Sequence, residues 1–507
     1  MALGAQGAAL EDVADFVIVG TGAGGATAAR VLAAAGHDVV LLEEGARLHT
    51  PDRPRDLLGA MRQAFRDFGT NTSRGTEPFP MLQGRCVGGA TAINSGIIWR
   101  LPEDVREVWT EAHGLGALVN AKTLDAAFDI IERELEIEES APAVWGGNST
   151  LMHEAAMAMK LPGKAISRNA ARCKGTAQCL QGCPGEARQS MDVSYVPRAL
   201  RDGARLHTGA RVDKVILEFG RAMGVSGAHV DPDTRAVLGP LRVMARRAVI
   251  VCASAIQTPV ILRRSGLRGL VGERFQAHPG AAVVGRFDEP VSIGQGGTQA
   301  YEVPLRSRGL KLESLALPPE MLAARLPGAG ALWQERLAHL DHFAQWAALV
   351  RMQAHGRVRP TLFGDGSQSA ITYNPSASDM ARMRDGVATL ARMMFAVGAR
   401  EVYPGIGGLP SVLTKVEDVH LIDEATLVPS RMTMMASHLF GTACAGSDPR
   451  TSVVSPDLAV HDVAGLYVMD ASVFPTNLGV NPQHSIMGLV WVAASKLANA
   501  ARSRAAA

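Results

Sequence analysis

From Asp15 the chain reads Asp-Phe-Val-Ile-Val-Gly-Thr-Gly-Ala-Gly-Gly-Ala-Thr-Ala-Ala-Arg, and few folds accommodate such a run. Phe16 to Val19 is short, apolar and β-rich, which predicts a buried parallel strand. Gly20, Gly22 and Gly25 follow at G-x-G-x-x-G spacing, and small residues then open a helix through Val31 and Leu32. A second apolar strand, Asp38 to Leu42, ends at Glu43. Each part has a physical task. Gly20 permits the tight turn, Gly22 lets a pyrophosphate approach the backbone, and Gly25 lets helix and strand pack closely. The helix N-terminus offers oriented N–H donors, and Glu43 is placed to accept from a ribose. Strand, glycines, helix, strand and acid in this order predict a dinucleotide-binding unit; by itself the unit does not separate FAD from NAD.

Length sets the rest of the frame. At 507 residues the chain exceeds one core, so two joined domains are expected. The chain is 47% hydrophobic and 20% charged, as in globular proteins. With 51 basic and 49 acidic residues and no long basic run, nothing selects nucleic acid or an anionic membrane. Met1 to Asp15 has neither a basic n-region nor an apolar h-region, so no secretory signal and a cytoplasmic location are expected, export with a partner aside. No apolar stretch is long enough to predict a spanning helix.

Three later segments are more specific. Gly84-Arg85-Cys86-Val87-Gly88-Gly89-Ala90-Thr91-Ala92-Ile93-Asn94 carries a double glycine that lets backbone N–H groups approach a ligand. Ala248 to Pro259 reads as a buried strand entering a helix. A C-terminal block holds Ser437-His438-Leu439-Phe440-Gly441-Thr442, then Asp470-Ala471-Ser472, then Asn481-Pro482-Gln483-His484. Taken in order, these segments resemble the signatures of the glucose–methanol–choline (GMC) oxidoreductase family. The resemblance spans nearly the whole chain and is weakest from about 291 to 428. One departure stands out: Ala90-Thr91 occupies a place where many members carry two serines.

The resemblance implies a fold and a chemistry. The fold class is α/β, a Rossmann-like FAD-binding domain with a discontinuous second α+β substrate domain. The FAD domain is expected at 12–110, 190–290 and 430–500, a helical segment with a cysteine loop at 111–189, and the substrate domain at 291–429. FAD contacts are expected from Gly20, Gly22, Gly25, Glu43, Arg85, Gly88, Gly89, Asn94, Asp470 and Ala471, with Val212 at the adenine. The activity implied is oxidation of an alcohol to an aldehyde or ketone, with His438 as general base. Asn481 takes the second active-site position and His484 lies beside it. His suits the role because its charge changes near neutral pH. The alternative is a flavin-containing lyase that uses the same histidine without net redox. His278 is read as structural or flavin-side.

Cys173, Cys179 and Cys183 crowd into one Gly- and Pro-containing loop. Clustered thiolates suit iron–sulfur or zinc sites, although zinc wants a fourth ligand. The spacing is similar to that of GMC dehydrogenases holding a [3Fe-4S] cluster that passes electrons to an acceptor protein. A metal-free loop, as in relatives resembling long-chain alcohol oxidases, and a disulfide with one free thiol are the competing readings. Cys86, Cys252 and Cys444 read as core. Helical spacing of Leu, Ala and Trp predicts one or two helices within 320–352.

Overall fold

The computed structural model describes residues 9–361 and 368–506; the first eight residues of the Met1–Asp15 segment read above lie outside them. The chain opens with β1 (Leu10–Val19), α1 (Ala23–Ala34) and β2 (Val39–Leu42), followed by α2 (Ala121–Glu134) and the short β3 (Lys164–Ala165). Next come β4 (Arg205–His207), β5 (Ala210–Glu218), β6 (Arg221–Val230), β7 (Val237–Val251), α3 (Ser254–Arg264) and β8 (Gln276–Arg286). Then follow β9 (Tyr301–Leu305), β10 (Leu310–Ser314), β11 (Phe343–Val350), α4 (Ala377–Ala396) and β12 (Glu401–Tyr403). The chain finishes with β13 (Met435–Phe440), β14 (Leu466–Val468) and α5 (Gln483–Ala506).

Two seven-stranded sheets organise the molecule. The first runs β4-β2-β1-β7-β6-β5, with β14 also on β7. Its centre is parallel: Phe16 to Val19 pair with Val39 to Leu42 on one side and with Ala248 to Val251 on the other. These residues are buried on both faces, which is why they read as an unbroken apolar run. The strand extends further back than its apolar run, to Leu10. The added half alternates in burial and pairs with Leu241 to Ala245, with a register shift between Ala14 and Phe16.

The second sheet runs β12-β8-β11-β10-β9-β3 and is antiparallel, with β13 also on β8. One face packs on α4, whose N-terminus carries a capping box between Ser376 and Asp379. The other face looks toward the first sheet. Because side chains alternate along a strand, one row of this face holds His278, Gly280 and Ala282 on β8, with Leu349, Ala347 and Gln345 beside them on β11. Lys311 and Glu313 of β10 continue the row next to Leu349 and Ala347.

The 320–352 segment holds two helices, as its spacing predicts, and adds a strand that the spacing does not. Helices span only Pro319–Ala323 and Gly330–Ala338, and Phe343–Val350 is the central strand β11. All eight residues of that strand are buried. An apolar run covered on both faces has no two-residue period to betray it, so spacing alone could not tell it from a helix.

Candidate active site

A single long cavity of about 610 Å³ runs between the two sheets. At one end the first β-α unit builds its floor. Gly20 sits at φ +97°, and a Cβ there would lie 2.4 Å from the Cys252 carbonyl oxygen. A Cβ on Gly25 would lie 1.9 Å from the Gly20 oxygen, so this glycine serves helix–strand packing and does not line the cavity. Gly22 differs: it has ordinary dihedrals, and a Cβ on it would meet nothing within 4 Å because it faces open cavity. Gly89, at φ +53°, comes up opposite, with its own notional Cβ 3.0 Å from the Gly22 Cα. The two glycines thus form a narrow backbone-walled cleft at the start of α1, where N–H groups and the helix dipole favour an anion.

Glu43 lies in the wall beyond, its Oε2 accepting from Thr21 N and Oγ1 and its Oε1 from Gly45 N. Burial pushes its carboxyl above the usual range, opposed by those hydrogen bonds. Asn94, Val212, Asp470 and Ala471 also line the cavity. Asp470 is buried and held by Ser254 N, Thr258 Oγ1 and Ser472 N, and it fixes Ser254 in a left-handed conformation at φ +84°. Such a strained residue persists only where surroundings over-determine it. Thr91 spends its hydroxyl on the fold, donating to Gly88 O and accepting from Met191 N. Arg85 and Gly88 stand behind the wall; Arg85 donates to the Pro232 carbonyl.

At the other end, β13 places His438 against β8. The strands pair His278 with His438, and the two Nδ1 atoms are 3.2 Å apart. Asn481, just before α5, brings its Nδ2 to 3.4 Å from His438 Nε2, and all three residues line the cavity. His438 is pushed down to about 3, chiefly by burial and then by the positive charge of Lys311. His278 is lowered as well, by burial and by its histidine neighbour. The imidazole of His438 is therefore neutral across the physiological range, a proton acceptor in waiting.

His484 goes elsewhere. It is fully buried, its Nε2 lies 3.0 Å from Glu132 Oε1 on α2, and its ring packs on Phe128. It pins α5 to α2 and does not line the cavity. Sequence reasoning left His278 with no catalytic role and missed Lys311, Glu302 and Glu313 altogether.

The cysteine loop neighbours this site. The three cysteines line one small recess, and their sulfurs accept N–H donors: Cys179 from Arg168, Cys173 from Gly175 N, Cys183 from Arg188 N. Arg168 and Arg188 hold the Cys179 thiol below its ordinary value against the cost of burial. The same arginines reach the carbonyls of Ala92, Asn94 and Ser95, so the loop braces the cavity wall. Among the described residues no group of three or more His, Cys, Asp or Glu side chains is placed to hold a metal ion, and all six cysteines are free. The [3Fe-4S] cluster that the resemblance implied therefore finds no ligand set among the described residues, and no step below runs through iron.

A glycine-walled cleft thus shares one cavity with a His–Asn pair under an antiparallel sheet. The chain belongs to the GMC oxidoreductase family: the family's N-terminal model matches residues 14–280 and its C-terminal model residues 355–489. It is 34% identical to an uncharacterized GMC-type oxidoreductase of Mycobacterium tuberculosis (strain ATCC 25618 / H37Rv), over 95% of this chain and 75% of that one. It is 25% identical to a long-chain-alcohol oxidase of Arabidopsis thaliana, over 97% of this chain and 67% of that one. Its fold matches the crystal structure of pyridoxine 4-oxidase from Mesorbium loti with a TM-score of 0.72 at 16% identity, covering 95% and 99% of the two chains. Among the described residues no helix is long and apolar enough to cross a membrane.

Proposed function

We propose that the protein oxidises an alcohol to an aldehyde or ketone with a bound FAD, His438 acting as general base. The carrying observation is the neutral, half-buried His438 imidazole facing the same cavity as the glycine cleft. Gly22 and Gly89 would hold the pyrophosphate, Glu43 the ribose, Val212 the adenine, and Asp470–Ala471 the chain leading to the ring. The fit rests on the open space at Gly22 and on the narrow approach of Gly89. A flavin there supplies the two-electron acceptor for the carbinol hydride.

The protein's own residues do the rest. His438 Nε2 takes the hydroxyl proton, and the Asn481 amide turns its N–H from Nε2 to the substrate oxygen, stabilising charge as it develops. The remaining wall is largely aliphatic, with Leu315, Leu317, Met321, Leu349 and Met434, which suits an alcohol on an apolar body and excludes bulk water. The division into domains at the boundaries expected from sequence belongs to the same proposal.

The test is anaerobic titration of the yellow protein with a panel of primary and secondary aliphatic alcohols. Bleaching of the flavin band with formation of the carbonyl product is expected. Failure of every alcohol to bleach it, with cleavage of a cyanohydrin instead, would replace this reading by the lyase.

The same site predicts a pH dependence. Folded His438 has its pKa depressed from 6.5 to about 3, whereas the unfolded chain binds that proton near 6.5. The unfolded state binds more protons throughout this window, so stability is complete above about pH 6.5 and declines as pH falls toward about 3. Thermal midpoints measured from pH 7.5 downward should fall, and His438→Gln should flatten part of that slope. The acidic limb of flavin reduction should lie well below the ordinary histidine value.

A further inference from the structure

The most unusual group near the site is a cation. Lys311 sits on β10 within Leu310-Lys311-Leu312-Glu313-Ser314, a strand with every residue buried. Its side chain is 0% exposed, and its Nζ lies 2.7 Å from Glu302 Oε2, 2.5 Å from Glu313 Oε2 and 2.8 Å from Asn481 Oδ1. Three donors meet three acceptors. Glu302 is held further by Trp99 Nε1 and Lys164, and Glu313 by Gln299 Nε2. Burying such a triad carries a desolvation cost, and a well-packed apolar set often does as well for stability. Something other than stability is needed to explain it.

We propose that Lys311 is a positioning residue that sets the tautomer of His438 through Asn481. The logic is one of donors and acceptors. An ammonium can only donate, so the amide must show it the oxygen. That turns the Asn481 NH2 toward His438 Nε2. An amide NH2 can only donate, so Nε2 must carry the lone pair. The neutral ring then bears its proton on Nδ1, facing His278 Nδ1, which accepts. His278 in turn keeps its proton on Nε2, a buried atom with no hydrogen-bond partner among the described residues. Donation runs one way from Lys311 to His278, and it leaves a basic nitrogen where a substrate hydroxyl arrives.

Charge reinforces geometry. His438 is faced by His278 from β8, by Asn481, and by Lys311 from β10; Arg306 and Arg351 act on His278 at longer range. The two nearby carboxylates, Glu302 and Glu313, are taken up by Lys311 and do not bond His438. Among the described residues no carboxylate bonds His438 to trap the base as an imidazolium. The kinetic consequence rests on the alcohol-oxidising reading above; the tautomer does not.

The test uses the purified full-length protein labelled with 15N-histidine. Long-range 15N–1H correlation spectra, with His438 assigned by subtraction of a His438→Gln spectrum, should show Nε2 as the unprotonated nitrogen and Nδ1 as the protonated one. Asn481→Asp is isosteric and keeps its partner Lys311, so it tests the idea even if removal of the lysine prevents folding. A carboxylate beside Nε2 should draw a proton there, reverse the nitrogen pattern, and slow flavin reduction by about 100-fold. Lys311→Met, where its flavin absorbance and circular dichroism match the parent, should yield mixed tautomers, and Lys311→Arg should restore the single one. A protonated Nε2 in the parent, or an unchanged pattern in Asn481→Asp, overturns the proposal. Correct tautomers with no bleaching by any alcohol would sink the proposed activity while the positioning role stands.

Discussion

His438→Ala lowers the rate of anaerobic flavin reduction by an alcohol by about 10²–10⁴-fold, the span a positioned general base contributes. Flavin content and thermal midpoint change little, because the lost ring is a half-buried neutral group whose hydrogen-bond partners among the described residues are His278 and Asn481, at 3.2 and 3.4 Å. Stopped-flow reduction traces under anaerobic conditions provide the measurement. The loss should appear in the limiting rate at saturating alcohol, since the proton is removed during the chemical step. A small exogenous base such as imidazole should recover part of the rate by entering the vacated space. A variant that reduces its flavin at the parent rate would remove the histidine from the mechanism and leave Asn481 without the role assigned above.

Gly22→Val should yield a folded but colourless protein. The backbone there has φ −67° and ψ −166°, open to any residue, and the added Cβ meets no protein atom within 4 Å. The valine therefore costs the fold almost nothing while its methyl groups fill the space kept for a pyrophosphate. The expected result is a near-complete loss of bound flavin, read by the ratio of visible to ultraviolet absorbance, with far-ultraviolet circular dichroism unchanged. Gly25→Val makes the contrast. Its Cβ would collide with the Gly20 carbonyl at 1.9 Å, so it should damage folding as well as binding. If Gly22→Val retains its flavin, the cofactor does not lie against that turn.

Much of this site can be read in the chain before any coordinates. Gly20 and Gly25 announce themselves because their roles are local: a turn and a close packing, each set within a few residues. His438 and Asn481 are legible through the C-terminal segments that carry them. The lysine triad is not. Lys311 and Glu313 alternate with Leu310 and Leu312, the pattern of a half-exposed strand, and nothing local says that the polar face is covered. Only the pairing of β10 with β9 and β11, and the arrival of Asn481 from 170 residues away, turns that face inward. His484 misleads for the opposite reason. It sits three positions after Asn481, but Asn481 precedes α5 while His484 lies in its first turn, packed on Glu132 and Phe128 of α2. β11 was hidden by its own completeness, an apolar run without rhythm. His278 gains its place only through strand pairing with β13.

β13 and β14 complete the edges of two different sheets, each resting on a strand laid down more than 150 residues earlier. His438, Asp470 and Asn481 all arrive with this last portion of chain. The glycine turn and most of both sheets are thus encoded upstream of the residues that close this end of the cavity. A chain cut short near residue 430 would be left with two open strand edges and a cavity lacking its His438–Asn481 end, a ready substrate for quality-control proteases.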